Sequence, residues 1–181
     1  EAAAIAAEAA RNVTVGDPND ESTVIGPVVS ATQYSRIQQL IEKGVGEGAK
    51  VVVGGPGKPD GLETGYYVKP TVFSHVTNDM TIAREEIFGP VLVLIGYEDD
   101  EDAVRIANDT NYGLSGYISG GEERAKKIAR RIRTGDIHLN GAGPDFNAPF
   151  GGYRQSGNGR EWGVEGFEEF LETKSLLGYN T

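Results

Sequence analysis

The chain has 181 residues, 38% of them hydrophobic and 24% charged, and a net charge of −10. A chain of this size buries roughly 70% of its unfolded surface. Its negative charge argues against nonspecific binding of nucleic acid or of an anionic membrane, because both would repel it. With no cysteine and only two histidines, His75 and His138, disulfides, thiolate metal sites and a cysteine nucleophile are excluded within this chain, and no metal site is expected. No apolar window reaches the ~20 residues of a membrane-spanning helix, and no signal-peptide pattern is present. The expectation is a cytoplasmic protein.

The opening "EAAAIAAEAARNV" has helical composition, alanine being the best helix former, but neither an initiator methionine nor a polar cap. It is read as a helix met in its middle, in a chain cut from a longer one. "SATQYSRIQQLIEKG" carries a capping box of Ser30 with Gln33 and apolar Tyr34, Ile37 and Ile41 at helical spacing, stopping at Gly44. "KVVVGG" reads as a short strand and "GPGKPDG" as a loop. In "YYVKPTVF", Pro70 predicts an edge or interrupted strand. "VLVLIGY", from Val91, is the strongest candidate for a buried strand.

"DDEDAVRIAND" predicts a helix with acidic residues in its first turn, which suits the helix dipole. "GLSGYIS" and "GDIHLN" predict strands on either side of the helix "EERAKKIARRIR", with Ala125, Ile128, Ala129 and Ile132 facing inward. This alternation predicts an α/β fold, a layered and largely parallel sheet flanked by helices. Gly141 to Gly163 is a glycine-rich loop of a length that is often functional. The tail "EGFEEFLETKSLLGY" predicts a short helix and a final strand.

Most motif candidates fail on chemistry. Pro59 follows the lysine of "GPGKPDG" where a phosphate loop needs Ser or Thr, and Trp162 replaces the third glycine of a dinucleotide fingerprint in "GNGREW". Neither "GLSGY" nor "RQSGN" is a nucleophile elbow. The histidines sit in strand contexts as hydrogen-bonded structural residues, and the basic run from Arg124 to Arg133 reads as a solvated face with internal ion pairs. "EEIFGP" stands apart. Glu85 and Glu86 are either a solvated pair or a carboxylate for a ribose diol, which can accept a hydrogen bond from each hydroxyl. Phe88 could then pack beside the attached ring.

"EEIFGPVLVL" and "PFGGYRQSGNGREWGVEGFEEFLETKSLLGY" resemble the NAD(P)-dependent aldehyde dehydrogenases. The likeness runs through "VGDPNDESTVIGPVVS", "GYYVKPTVF", "AVRIANDTNYGLSGYI" and "IHLNGAGPDFNAPFGGY". It implies a longer parent with a nucleotide-binding domain, a catalytic domain and an oligomerisation arm. Residues 1–172 would be part of the catalytic domain and 173–181 the C-terminal oligomerisation strand. The family reaction is thiolate attack on an aldehyde, hydride transfer from the thiohemiacetal to the nicotinamide, and hydrolysis of the acyl-enzyme. The nucleophilic cysteine and general base would lie outside this chain, which is then inactive alone and binds neither NAD nor NADP by itself.

Matched by position, Glu86 takes the place that holds the nicotinamide ribose and Phe88 that of the aromatic beside the nicotinamide. Phe150 corresponds to an aromatic of the aldehyde tunnel, and Gly141, Ala142, Gly143 and Pro144 to the loop at the aldehyde's distal end. Glu161 would serve structurally or through a water. The tail would pair with the arm in a homo-oligomer; without that arm it would self-associate, stay disordered or fold back on its own sheet. The implied partner is a small aldehyde, with no nucleic acid and no membrane. The competing readings are a stand-alone binding or assembly module of the same fold and a serine- or histidine-based enzyme.

Overall fold

The computed structural model describes residues 1–178. Contacts divide the chain into two units, Glu1–Tyr97 and Glu98–Thr181. In the first, helix α1 (Ala2–Arg11) lies against strands β1 (Lys50–Val53) and β2 (Thr71–Ser74), with Ala7 buried. Helix α2 (Ala31–Gly46) begins at Ser30, whose Oγ accepts the Gln33 N–H at 3.2 Å. The other half of the expected capping box is replaced by a longer reach. The Gln33 amide donates instead to the carbonyls of Ile87 and Phe88.

The core of this unit gathers Ile37 and Ile41 of α2, Val68, Phe73 of β2, Val76, Ile82 and Ile87. The sheet order is β1–β2–β3, where β3 is Val91–Val93. Two expectations are corrected here. β2 is the central strand, with all four residues buried, which corrects the edge alternative; the interrupted one stands, because the strand begins only at Thr71, after Pro70, where a missing N–H costs no ladder bond. β3 is the edge and spans three residues, with Leu92 48% exposed, rather than a long buried strand. β2 and β3 are parallel, whereas β1 runs antiparallel to β2.

Short helix α3 (Thr81–Arg84) is capped from outside. The Glu47 carboxylate accepts the Thr81 N–H at 2.7 Å and its hydroxyl at 2.6 Å, with Lys43 Nζ at 3.4 Å. The Thr81 hydroxyl first, then its N–H, holds the Glu47 carboxyl below its ordinary range. This contribution to stability is complete above the unfolded glutamate pKa of about 4.3 and is lost as pH falls through the lower folded value. Glu47→Gln is therefore expected to lower the urea midpoint at about pH 7, with the gap to wild type closing as pH falls below the glutamate range. An equal gap at both ends of the pH range would contradict the cap.

The second unit contains α4 (Asp100–Asn108), β4 (Ser115–Ile118), α5 (Glu122–Ala129), β5 (Asp136–Leu139) and α6 (Gly163–Glu168). β4 and β5 form a parallel pair joined through α5. Asp99 caps α4 by accepting the Asp102 N–H. The basic run is paired only in part internally: Lys126 pairs with Glu122 in α5, whereas Arg124 and Arg131 reach Asp100 and Glu101 of α4. Those arginines hold the Asp100 and Glu101 carboxyls below their usual range. α5 ends at Ala129, so of the four residues expected to face inward only Ala125 is fully buried.

The fold is α/β, with two parallel pairings, but its strands lie in two sheets. The division at residues 97 and 98 falls inside the span expected as one domain. Residues 172–178 form no strand. A strand there needs a ladder partner, and the described residues supply none. Tyr179, Asn180 and Thr181, the end of the predicted strand, lie outside the described residues.

Candidate functional site

The residues singled out from sequence fall in two places, one in each unit. In the first unit, "EEIFGP" forms a turn between α3 and β3. Ile87 is buried and anchors it in the core, while Gly89 packs so tightly that a Cβ would lie 2.6 Å from Ile37 Cδ1. Two side chains of α2 grip its backbone. Gln33 donates to the Phe88 carbonyl at 2.9 Å and the Ile87 carbonyl at 3.2 Å, and Arg36 donates to the Glu86 carbonyl at 3.3 Å.

The two glutamates have different surroundings. Glu85 pairs with Arg36 at 3.5 Å. The exposed Glu86 side chain has no ion pair among the described residues. Phe88 stands beside it, 72% exposed, at a φ of +54°. Such a φ is uncommon for a bulky residue and needs surrounding structure to hold it. The Gln33 bonds to the carbonyls on both sides of the Phe88 nitrogen and α-carbon supply part of that hold. An exposed aromatic and a carboxylate without an ion pair among the described residues thus lie two positions apart on one turn whose backbone is held by Gln33 and Arg36.

The second place is a cavity of about 310 Å³ in the second unit. Ala142, Gly143, Pro144 and Phe150 line it, as do Tyr117, His138 and Trp162. Phe150 and Trp162 pack with ring centroids 5.0 Å apart and planes tilted by 32°, and Phe146 meets Trp162 edge-on at 4.6 Å. Phe150 is also tied through its backbone, exchanging two 2.7 Å bonds with Glu161. Gly141 and Glu161 are not among the lining residues. At the rim, Asp145 accepts from the Asn147 N–H and side-chain amide, which holds its carboxyl below the usual range.

Ser115, Asp136 and His138 share the cavity wall but form no proton relay. The His138 nitrogens face the Ala142 carbonyl at 2.8 Å and Asp136 Oδ2 at 3.6 Å, which leaves neither for Ser115. No group of three potential ligands that could hold a metal occurs among the described residues, and none of the described helices is long and apolar enough to cross a membrane. The cavity can bind an apolar group between aromatic faces; among the described residues no relay activates the Ser115 hydroxyl on its wall.

Sequence reasoning missed Gln33 and Arg36 as holders of the turn, and Tyr117, His138 and Trp162 as cavity walls. The helical spacing of Gln33 and Arg36, three residues apart on one face, was the available signal for the first pair. For Tyr117 and His138 the signal was strand register, which a single chain does not print.

The chain is 59% identical over 170 residues to a 3-succinoylsemialdehyde-pyridine dehydrogenase of a Pseudomonas species, covering 93% of this chain and 36% of that protein. Among solved structures it is similar to an aldehyde dehydrogenase C mutant from Pseudomonas syringae in complex with NAD+ and octanal, with a TM-score of 0.93 and 54% identity. That match covers 98% of this chain and 37% of the other. An aldehyde dehydrogenase from Mycobacterium tuberculosis complexed with NAD+ matches with a TM-score of 0.86 and 46% identity, over 95% of this chain and 36% of its own. The chain thus spans little more than a third of the length of the relatives it matches. The model of the aldehyde dehydrogenase family matches residues 1–176, and the chain belongs to that family.

Proposed function

We propose that this chain is the part of a longer cytoplasmic, NAD- or NADP-linked aldehyde dehydrogenase that holds the nicotinamide ribose and forms one wall of the aldehyde pocket. The observation that carries the reading is the asymmetry of the two exposed glutamates: Glu85 is paired with Arg36, while Glu86 has no ion pair among the described residues and lies two positions from a Phe88 held at positive φ. Complexes with NAD+ among the similar structures support a nicotinamide dinucleotide as the cofactor.

In this reading the Glu86 carboxylate accepts hydrogen bonds from both ribose hydroxyls. Phe88 flanks the ring face and limits its rotation. The cofactor, when bound, supplies the hydride acceptor. Phe150 and Trp162 pack on the apolar part of the aldehyde and exclude water from it. Glu161 acts through its backbone, as the partner that fixes Phe150. The thiol that attacks the aldehyde lies on another part of the protein, because this chain has no cysteine. Exposed Phe167, Phe170, Leu171, Leu176 and Leu177 support association into a homo-oligomer through the C-terminal segment.

The test compares the 181-residue chain with the full-length protein that contains it, each given short and long aldehydes and either cofactor. The full-length protein is expected to form NADH or NADPH, and the chain alone none above a buffer control. Cofactor reduction by the isolated chain, abolished by a substitution within it, would overturn the division of labour. A full-length protein that oxidises no aldehyde would overturn the function.

A further inference from the structure

Tyr117 on β4 and His138 on β5 stand opposite one another in the parallel register, and their rings stack with centroids 4.6 Å apart and planes 12° apart. The His138 Nδ1 is 2.8 Å from the Ala142 carbonyl. A carbonyl only accepts, so Nδ1 carries the hydrogen and donates it. Nε2 faces Asp136 Oδ2 at 3.6 Å. Asp136 Oδ1 is buried without a hydrogen-bond partner, so this carboxylate is held in the wall rather than turned out to water.

Ala142 opens the loop that runs to Ala148, which is exposed along its length. Within the loop the bonds are short-range, from Ala142 N–H to the Leu139 carbonyl and from Ala148 N–H to the Asp145 carbonyl. Further holds act at its two ends. The His138 side chain takes the Ala142 carbonyl at one end. At the other, the Phe146 ring meets Trp162 and its carbonyl accepts the Gly163 N–H. The segment between, with Gly143, Pro144 and Asp145, is one wall of the cavity that Phe150 and Trp162 close from the other side.

We propose that Tyr117 and His138 are specificity-determining positioning residues: the stacked pair, through the Nδ1 hydrogen bond to Ala142, fixes the cavity wall and so sets which aldehydes fit against Phe150 and Trp162. The role in specificity rests on the aldehyde reading above; the tether itself does not. Tyr117 presents one ring face to His138 and stays largely exposed on the other, so its stack fixes the imidazole plane at low cost in mobility. His138 then aims its donor at the loop. With the tether gone the wall is free to move outward, and bulky ring-bearing aldehydes gain relative to short linear ones.

Two variants separate the ring from the donor. His138→Phe keeps an aromatic against Tyr117 but has no hydrogen to give, while His138→Asn keeps an N–H close to the Nδ1 position. In the 181-residue chain, amide hydrogen exchange at Ala142 and Ala148 is expected to speed by about tenfold in His138→Phe and to recover in His138→Asn, with Phe73 unchanged as a core reference. The chain's one tryptophan, Trp162, gives a second reading, with its fluorescence more open to acrylamide in His138→Phe alone. In the full-length enzyme, the ratio of specificity constants for a ring-bearing and a short linear aldehyde is expected to rise about tenfold in His138→Phe, carried mainly by KM. Unchanged loop amides overturn the tether whatever the activity. Faster loop amides with an unchanged aldehyde ratio, or with an equal loss for every aldehyde, overturn the specificity role. Absence of aldehyde oxidation by the wild-type full-length enzyme overturns that role through the reading it rests on, and the exchange result stands apart from it.

Discussion

Gly135→Ala is expected to lower the melting temperature of the 181-residue chain by about 10 °C, the largest stability effect of any single methyl added to this fold. Gly135 leads into β5, and its N–H donates toward the carbonyls of Gly113 and Leu114. A Cβ at this position would lie 1.5 Å from the carbonyl oxygen of Gly151 and 3.2 Å from that of Leu114. No side-chain rotation relieves such an approach, because both neighbours are backbone. One backbone segment or the other has to move. Inserting atoms into packed structure typically costs 1–3 kcal/mol, and a backbone clash of this depth lies at or above about 3 kcal/mol. The damage also reaches the site, since Gly151 follows Phe150, whose two bonds to Glu161 fix the cavity wall. Gly120→Ala is the control: nothing lies within 4 Å of its added Cβ, and a change below about 0.5 kcal/mol is expected. Thermal unfolding of both variants decides the matter, together with exchange rates for the Phe150 and Glu161 amides. Matching melting temperatures would show that the two segments are not in this contact.

The features that were legible in the sequence are those carried by local chemistry. The Ser30 cap, the acidic first turn of α4 and the inward Ile37 and Ile41 all follow from spacing along one element, and all are present. Of the internal ion pairs expected along the basic run, Lys126 with Glu122 is local, whereas Arg124 and Arg131 pair with Asp100 and Glu101 of α4. What escaped was decided between elements. Pro70 suggested an edge or interrupted strand; the strand does start only after it, yet β2 is central because its neighbours pair with residues after the proline. The apolar run from Val91 promised a long buried strand, but β3 stops at Val93 on the edge of its sheet. The Gln33 side chain was assigned to its own helix, and it instead crosses 55 positions to the Phe88 carbonyl. The Tyr117–His138 stack depends on the register of two strands nearly twenty positions apart, information that no local pattern holds. At "EEIFGP" the residue types gave the chemistry, and only the structure separated the paired Glu85 from the exposed Glu86.

Glu86→Gln in the full-length enzyme is the second large effect expected. The substitution keeps the length of the side chain and one acceptor, but it removes the charge that strengthens both ribose hydrogen bonds. Because Gln33 and Arg36 grip the carbonyls of this turn, the backbone is expected to stay in place and the loss to be electrostatic. A reacting ring displaced by about 1 Å loses on the order of 100-fold in rate. The effect should therefore fall on hydride transfer, with a smaller one on the acylation chemistry and little on stability. Single-turnover reduction of the cofactor, with aldehyde protiated or deuterated at the carbonyl carbon, is the most direct measurement of the central claim that this segment positions the nicotinamide. A hydride-transfer rate reduced by about 100-fold in Glu86→Gln, with a clear isotope effect on that step, is the predicted result. A wild-type rate with an unchanged isotope effect would contradict it.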